Sequence, residues 1–317
     1  MAFKLTAIFV AYLLDLIIGD PEFGWHPVRI IGRLIAGLET ALNNKRKNRK
    51  YYGLLFVILV VLSAVICVSG LLKLSALIHP AFHFIVYVLL IYFALSVKSL
   101  AKEAGNVYNA LSKNDLPLAR KNLSMIVARD SQNLDEPEII RATIETVAES
   151  TMDGIVSPLF YAFLGGPVLA WVYKAVNTLD SMVGYKNERF ASFGSASAII
   201  DGIINYIPAK ITCFVVLIAS YCCGKYRGSR GNIIFKYLFK GREYNSESTE
   251  AVMASALGVQ LGGVNFYGSV AVEKNIIGKN TYPLKKEHIK ESIKIACASS
   301  ALFMAIGIFF ICLMERR

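Results

Sequence analysis

The stretch that decides the fold is "YYGLLFVILVVLSAVICVSGLL", residues 51–72, which contains no charged side chain. A helix rises about 1.5 Å per residue, so a run of this length can cross the roughly 30 Å hydrocarbon core of a bilayer. An uninterrupted apolar run this long is typical of a membrane-spanning helix. The sequence therefore predicts a membrane span here.

Other apolar stretches of similar length follow the same pattern. They lie at 3–19, 78–97, 155–175, 199–223 and 292–314. The whole chain is 55% hydrophobic, has a mean hydropathy of +0.49 and is only 18% charged, which excludes an ordinary soluble domain. We therefore expect an all-α, polytopic membrane bundle of about five to six apolar segments, forming a single integral membrane domain over residues 1–317.

The first apolar stretch resembles a signal peptide, although it contains Asp15. The sequence "GDPEFGWHP" follows it in place of a small-residue cleavage site, so we expect the stretch to remain in the mature chain. The six cysteines lie in or beside apolar segments without C-x-x-C spacing, which favours small buried side chains over a zinc or disulfide framework.

The net charge is +11, and most lysine and arginine residues lie in three connecting regions at 20–50, 98–154 and 224–291. Lysine and arginine collect in cytoplasmic loops of membrane proteins, so we expect these large, partly helical loops to be cytoplasmic at the plasma membrane. The run "NKRKNRK" at 44–50 could contact anionic lipid. Aromatic and basic residues do not interleave as in an RNA-binding sheet, so we expect no nucleic-acid partner.

The loop 98–154 predicts three helices. The first two are joined at "KNDLP", and the third begins with Asp135 as its cap and Glu138 three residues later, and stops at Gly154. In this helix Glu138, Arg141, Glu145 and Glu149 share one face. The stripe is typical of a solvated amphipathic helix with internal ion pairs, or of carboxylates that hold Mg²⁺ together with substrate phosphates.

The apolar stretch 155–175 contains two prolines and two adjacent glycines, Gly165 and Gly166. Such interruptions are tolerated where the backbone is buried in protein or lines a cavity, so a broken or re-entrant helix is expected. The polar stretch "NTLDSMVGYKNERF" at 177–190 follows. Its side of the membrane stays open, because it depends on whether the preceding helix crosses fully.

Polar residues also enter the next apolar stretch, where Asp201 and Asn205 lie four residues apart on one helix face. Ionisable residues inside a membrane usually face a bundle interior, where they take part in function or hold two helices together.

Beyond the first stretch, His26 follows Asp20, and Arg29 and Arg33 share a helix face that could bind phosphate or anchor the loop. The residues alone thus indicate a membrane enzyme or transporter with a phosphate-binding site, and we expect the polar segments to face one cleft.

Four blocks of the chain carry a family resemblance. They lie at 13–35, 128–166, 173–212 and 250–268, the last reading "EAVMASALGVQLGGVNFYG". In order and spacing these blocks resemble the CobD/CbiB family of integral membrane cobalamin-biosynthesis proteins, the adenosylcobinamide-phosphate synthases. The resemblance implies ATP- and Mg²⁺-dependent amide formation between adenosylcobyric acid and aminopropanol or its phosphate. It also implies association with other membrane enzymes of cobalamin assembly.

The resemblance implies site residues where the family's motifs match. For catalysis and proton handling we expect Glu145, Glu149, Asp153, Asp180 and His26, of which Glu149, Asp153 and Asp180 would also hold Mg²⁺. For nucleotide and substrate binding we expect Arg129, Arg141, Lys174, Asn177, Ser181, Lys186, Arg189, Asp201 and Asn205.

One loop departs from the family's pattern. Where the family has a stretch like S-P-N-S-G-W-P, this chain has "EYNSEST" at 243–249, which leaves room for a shifted amine or corrinoid preference. Two alternative functions stay open. One is a non-enzymatic membrane sensor, as in distant relatives linked to cell-wall stress, and the other is a transporter, which would predict two inverted halves that the sequence does not display.

Overall fold

The computed structural model describes residues 2–21, 24, 26–43, 48–185, 187–224, 237, 240–267 and 270–315, apart from the side chains of 2, 243 and 315. The chain divides into two compact units. Unit 1 comprises Met1–Ser96, Ser157–Tyr206 and Ile306–Arg317, and unit 2 comprises Val97–Val156 and Ile207–Ala305.

Helices dominate the described residues. They are α1 (Ala2–Ile18), α2 (Pro27–Asn43), α3 (Arg49–Ile78), α4 (Pro80–Tyr92), α5 (Val97–Ser112), α6 (Leu116–Ser124), α7 (Glu136–Thr151), α8 (Ser157–Val183), α9 (Ser195–Cys222), α10 (Asn245–Leu257) and α11 (Glu287–Glu315). A π-helical segment, Met152–Val156, joins α7 to α8, and a 3₁₀ turn, Arg242–Tyr244, precedes α10. Two strands complete the fold, β1 (Gln260–Tyr267) and β2 (Val270–Gly278).

Five helical stretches among the described residues are long and apolar enough to cross a membrane. They are Arg49–Ile78, Pro80–Ser112, Glu136–Val183, Ser195–Cys222 and Glu287–Met314. Each overlaps one of the apolar stretches predicted from the sequence, while the remaining stretch, 3–19, corresponds to the 17-residue helix α1. The prediction of a helical, multi-pass membrane protein is thus confirmed.

The core of unit 1 forms where α2, α3 and α8 pack together. Phe56, Val60, Ile35 and Leu179 are at most 1% exposed there, and Phe193 closes the cluster from the segment before α9. The opposite face of α3 presents apolar side chains at four-residue spacing. These are Leu54, Ile58, Leu62 and Ile66, each about half exposed or more. A helix that is apolar on both faces fits a span with one side in protein and the other in lipid.

The predicted break in the fourth apolar stretch, 155–175, is confirmed in α8. Gly165 and Gly166 leave helical geometry, with Gly166 at a φ of +66°, and Pro167 follows. A side chain at Gly166 would also collide with the Tyr87 hydroxyl, at 2.3 Å from an added Cβ. Beyond the break, Trp171 Nε1 donates to the Leu90 carbonyl at 2.7 Å, which fastens the second half of α8 to α4.

The helices predicted in 98–154 are confirmed, but the predicted stop at Gly154 is wrong. Asp115 caps α6 through a 3.0 Å bond from the Leu118 N–H, and α7 starts with the expected capping box between Asp135 and Glu138. Past Thr151 the chain continues through the π segment into α8. A continuous helix satisfies its own backbone hydrogen bonds, which matters more in an apolar setting than the weak helix propensity of one glycine.

The sequence analysis placed no strand, and here the structure differs. Strands β1 and β2 form an antiparallel hairpin with an irregularity between Leu261 and Gly263. Gly262 and Gly263 take φ values of +84° and +92°, which favour glycine. The alternation of β1 is short, and two glycines interrupt it, so its two-residue period is weak evidence in the sequence.

Candidate functional site

A buried ion pair organises the polar interior of unit 2. Arg129 Nη2 lies 2.7 Å from Glu145 Oε2, and the two side chains are 6% and 3% exposed. The other Glu145 oxygen accepts the Gly262 N–H at 2.8 Å. Arg129 also donates to the Asn265 side chain. Both oxygens of Glu145 are therefore engaged in joining α7 to the residues before it and to β1.

Arg141 adds a second connection between α7 and the hairpin. Its guanidinium group donates to the Gly262 carbonyl, to the Val264 carbonyl at 3.0 Å and to Asn265 Oδ1 at 3.2 Å. An arginine offers five N–H donors in a rigid fork, so it can hold several carbonyls of one strand at once. In the structure Arg129 and Arg141 donate hydrogen bonds to residues of β1. Their role in phosphate binding stays a prediction.

The next acidic residues along this face lie beside α10. Ser246 Oγ donates to Glu149 Oε1 at 3.3 Å, and Glu250, one turn further along α10, is 1% exposed. Lys274 Nζ of β2 lies 3.5 Å from Glu250 Oε1. Burial raises the pKa of Glu250 to about 8, opposed by Lys274 and reinforced by Glu145 and Glu149. A carboxyl group that changes charge near neutral pH is thus placed beside a lysine.

Asp153 lies in the π segment and is partly buried. It does not belong to a ready-made metal site, because the described residues contain no group of three or more histidine, cysteine, aspartate or glutamate side chains that could hold a metal ion. Mg²⁺ usually takes one or two carboxylates and completes its shell with water and substrate phosphates. The Mg²⁺ role expected for Glu149, Asp153 and Asp180 stays a prediction.

In unit 1, the predicted site residue His26 pairs with Asp20 directly before α2. His26 Nε2 lies 2.7 Å from Asp20 Oδ1, and the imidazole is almost buried. The Val28 N–H donates to His26 Nδ1 at 3.3 Å. Because Nδ1 accepts this bond, the ring proton belongs on Nε2, where it faces the carboxylate. An aspartate holding one imidazole tautomer is a common arrangement in acid–base sites.

The polar end of α8 carries four predicted site residues, of which Lys174, Asn177 and Asp180 are partly buried and Ser181 is exposed. Arg189 follows in the loop and makes a two-pronged contact with Glu39 of α2, with distances of 3.2 Å from Nε to Oε1 and 2.7 Å from Nη2 to Oε2. Arg189 thus anchors this loop to α2. The remaining predicted residue of this loop, Lys186, lies outside the described residues.

The predicted residues of the fifth apolar stretch, Asp201 and Asn205, belong to a chain of hydrogen bonds. Asn205 Nδ2 donates to Asp201 Oδ2 at 3.0 Å, and Ser157 Oγ donates to Asn205 Oδ1 at 2.9 Å. Asn205 and Ser157 are at most 1% exposed. This geometry joins α9 to the start of α8, as the inter-helix clasp reading expected.

The sequence matches a known protein family over most of its length. The family model described as "CobD/Cbib protein" matches residues 8–296. This chain belongs to the CobD/CbiB family. No solved structure matches it significantly.

Among curated members of the CobD/CbiB family, three are similar to this chain over nearly their whole length, and each is named "Cobalamin biosynthesis protein CobD". The protein of Clostridium perfringens is 40% identical and covers 97% of this chain and 98% of its own length. The Streptococcus sanguinis protein is 41% identical with 98% coverage of both, and that of Listeria monocytogenes EGD-e is 42% identical with 95% and 94% coverage.

Sequence reasoning missed three residues that the structure places among the predicted ones. Glu250 opens the fourth CobD/CbiB block, but a glutamate followed by apolar residues reads as an ordinary helix start. Lys274 lies on a strand that was not predicted. Glu39 lies on the buried side of α2 with Ile35, four residues earlier. A carboxylate on the apolar face of a helix usually has a partner, and this position was the sign in the sequence that could have identified Glu39.

Proposed function

We propose that this chain acts in cobalamin biosynthesis as a membrane-bound amide synthase. It would join the propionate carboxylate of adenosylcobyric acid to aminopropanol or its phosphate, giving adenosylcobinamide or its phosphate. The observation that carries the proposal is the full-length similarity to relatives named for cobalamin biosynthesis. The active site would be cytoplasmic at the plasma membrane, where ATP is available.

The chemistry requires that a poor leaving group be replaced. In the proposed sequence a propionate oxygen attacks the γ-phosphorus of ATP, ADP leaves, and an acyl phosphate forms. The amine nitrogen then attacks the acyl carbon, the C–O bond to phosphate breaks, and phosphate departs with the electron pair. One N–H proton must be accepted by a base during this second step.

Cationic and acidic side chains of this chain support both steps. Lys174 and Lys186 are proposed as contacts for phosphate oxygens because they lie in a block that matches the family's motifs. The guanidinium groups of Arg129, Arg141 and Arg189 hold protein partners. Mg²⁺, when bound with the nucleotide, would neutralise phosphate charge through Glu149, Asp153 or Asp180. The His26 imidazole, oriented by Asp20, is a further proposed site residue for proton handling, through Nε2.

Complementation tests the proposal. Cells that lack the family's synthase are supplied with adenosylcobyric acid and express this chain, and extracts are analysed for cobinamide phosphate. Wild-type chain is expected to restore the product, whereas Glu149→Ala and Asp180→Ala are expected to abolish it at equal expression. Restoration by both variants would keep the function and reject these site residues, and no product from the wild type would reject the function.

Accessibility labelling of a single cysteine at position 186 tests the orientation. The proposal requires this position to be reached from the cytoplasm, where ATP is present. Labelling of position 186 by an impermeant reagent added outside intact cells would contradict the proposed orientation. A cysteine in place of Lys50, in the basic segment expected to be cytoplasmic, provides the matched reference.

A further inference from the structure

A carboxylate that no prediction included stands out in unit 2. Glu250 is 1% exposed, although glutamate is almost never fully buried without compensating partners. Lys274 Nζ lies 3.5 Å from its Oε1, but Oε2 has no hydrogen-bond partner among the described residues. Among the described residues one oxygen is therefore held, and the other is open to a substrate group.

Burial favours the neutral form of Glu250, and two nearby carboxylates add to this effect. Glu145 and Glu149 of α7 and Tyr237 lie within electrostatic range, and Lys274 is the nearby cation. Burial, together with the two carboxylates, places the pKa of Glu250 at about 8 against the opposing effect of Lys274. If Glu250 served only to hold the hairpin, apolar side chains could stabilise this position as well, because buried ion pairs add little stability compared with apolar packing.

The reaction proposed above needs such a group. An alkylamine is protonated at neutral pH, with a pKa of about 10.4 for lysine, and must attack as the neutral form. As the C–N bond forms, the nitrogen becomes acidic and must lose a proton to a base. General bases are most effective when their pKa lies near the working pH, and they typically contribute about 10²–10⁴-fold.

We propose that Glu250 is the base that accepts the proton of the attacking amine, through its unpartnered oxygen, and that Lys274 positions its carboxylate. The inference rests on the proposed function. In the step, the amine nitrogen bonds to the acyl carbon, phosphate leaves with the electrons of the broken C–O bond, and the N–H proton passes to Glu250 Oε2. The protonated carboxyl group then returns the proton to solvent.

The test separates the two chemical steps in the purified, full-length chain with adenosylcobyric acid and ATP. With aminopropanol phosphate the product is the amide, while with hydroxylamine an acyl phosphate gives a hydroxamate without the help of a base. For Glu250→Gln we expect amide formation to fall about 100-fold or more, while ATP-dependent hydroxamate formation stays close to the wild-type rate. Glu247→Gln, the same change three residues earlier on α10, should leave both rates near wild type.

The pH dependence of the rate of amide formation distinguishes a base from a residue with a purely structural role. In the wild type, amide formation should rise with pH through about 8, because the carboxylate is the active form. Glu250→Asp retains the carboxylate, so it should keep this limb at a lower rate. Lys274→Met should shift the limb to higher pH, since the ammonium group opposes protonation of Glu250.

Each contrary result has a distinct meaning. If folded Glu250→Gln forms amide at the wild-type rate, or loses hydroxamate formation as well, Glu250 is not the base for amine attack. A Glu250→Asp enzyme without the limb near pH 8 would contradict the proposal even if Glu250→Gln failed to fold. If the wild type forms neither product, the proposed function itself fails, and this inference fails with it.

Discussion

Arg129 and Glu145 form an ion pair whose charged atoms lie 2.7 Å apart while both side chains are more than nine-tenths excluded from solvent. Such a pair is costly to break from one side, because the remaining charge stays buried without a partner. The second Glu145 oxygen is bound to the backbone of β1. We infer that Glu145 holds the interior of unit 2 together, whatever further role it has in catalysis.

Loss of the Glu145 charge should therefore appear as loss of stability. Glu145→Gln is expected to cost about 3–5 kcal/mol, measured as a lower thermal midpoint of the detergent-solubilised chain. Glu136→Gln, on the exposed first turn of α7, should change stability by no more than about 0.5 kcal/mol. An equally stable Glu145→Gln chain that has lost its activity would show that the residue acts in chemistry rather than in structure.

The close packing of the β1 backbone at Gly262 leads to a second prediction. Alanine there would place its Cβ 2.0 Å from the Asn275 carbonyl oxygen, at a φ of +84°. We expect Gly262→Ala to cost on the order of 2–4 kcal/mol through strain and displacement of β2. Gly105→Ala is the matched control, because the site on α5 is open and alanine favours helix. Equal thermal midpoints for the two variants would contradict the hairpin geometry.

The contact between Glu39 and Arg189 should hold the loop after α8 in place. Burial alone would raise the pKa of Glu39, but its bonds to Arg189 and Asn43 lower it below 4.5, so the stabilisation is present above that pH and is lost as pH falls through the lowered value. We expect Glu39→Gln to speed proteolytic cleavage within 184–194 several-fold at neutral pH.

Two further variants sharpen this result. Arg189→Lys should be cleaved nearly as fast as Glu39→Gln, because lysine cannot reproduce the two-pronged contact. Glu188→Gln, a neighbouring exposed change, should behave as the wild type. If Arg189→Lys were as resistant as the wild type, the two-pronged contact would not be what orders the loop.

Glu250 should also make stability depend on pH. The folded chain keeps this proton up to about pH 8, whereas an unfolded chain releases it near 4.5. Between these values the folded state binds more protons, so stability falls as pH rises through this window. Glu250→Gln removes the titration, and its thermal midpoint should decline less than that of the wild type, by on the order of a few degrees. Parallel declines would show that the folded pKa of Glu250 is not raised.

Local chemistry made much of the helical fold predictable. The Asp135–Glu138 capping box, the Asp115 turn and the Gly165–Gly166 break are set by residues close in sequence, and each was visible there. Long apolar runs also needed no tertiary information, because lipid imposes a minimum helix length.

Tertiary partners decided the rest. Counting along a helix placed Glu145 and Glu149 on one face, but only the structure shows that Glu145 is occupied by Arg129 and the backbone of β1. The partner of Arg189 lies 150 positions away in the sequence, so spacing could not reveal it. Glu250 and Lys274 share this property, because a raised pKa arises from burial and not from local sequence. That the predicted polar segments share one cleft stays a prediction.

The length of α3 has a consequence for how the protein responds to its lipid. Its 30 residues extend about 45 Å, well beyond a hydrocarbon core of roughly 30 Å, so the helix must tilt or extend its ends into the headgroup layer. Its inner face packs against Leu179, one residue before Asp180. We therefore expect acyl-chain length to affect the segment of α8 that carries the predicted site residues. Bilayer thickness is therefore a variable to control in assays of this protein, as pH is.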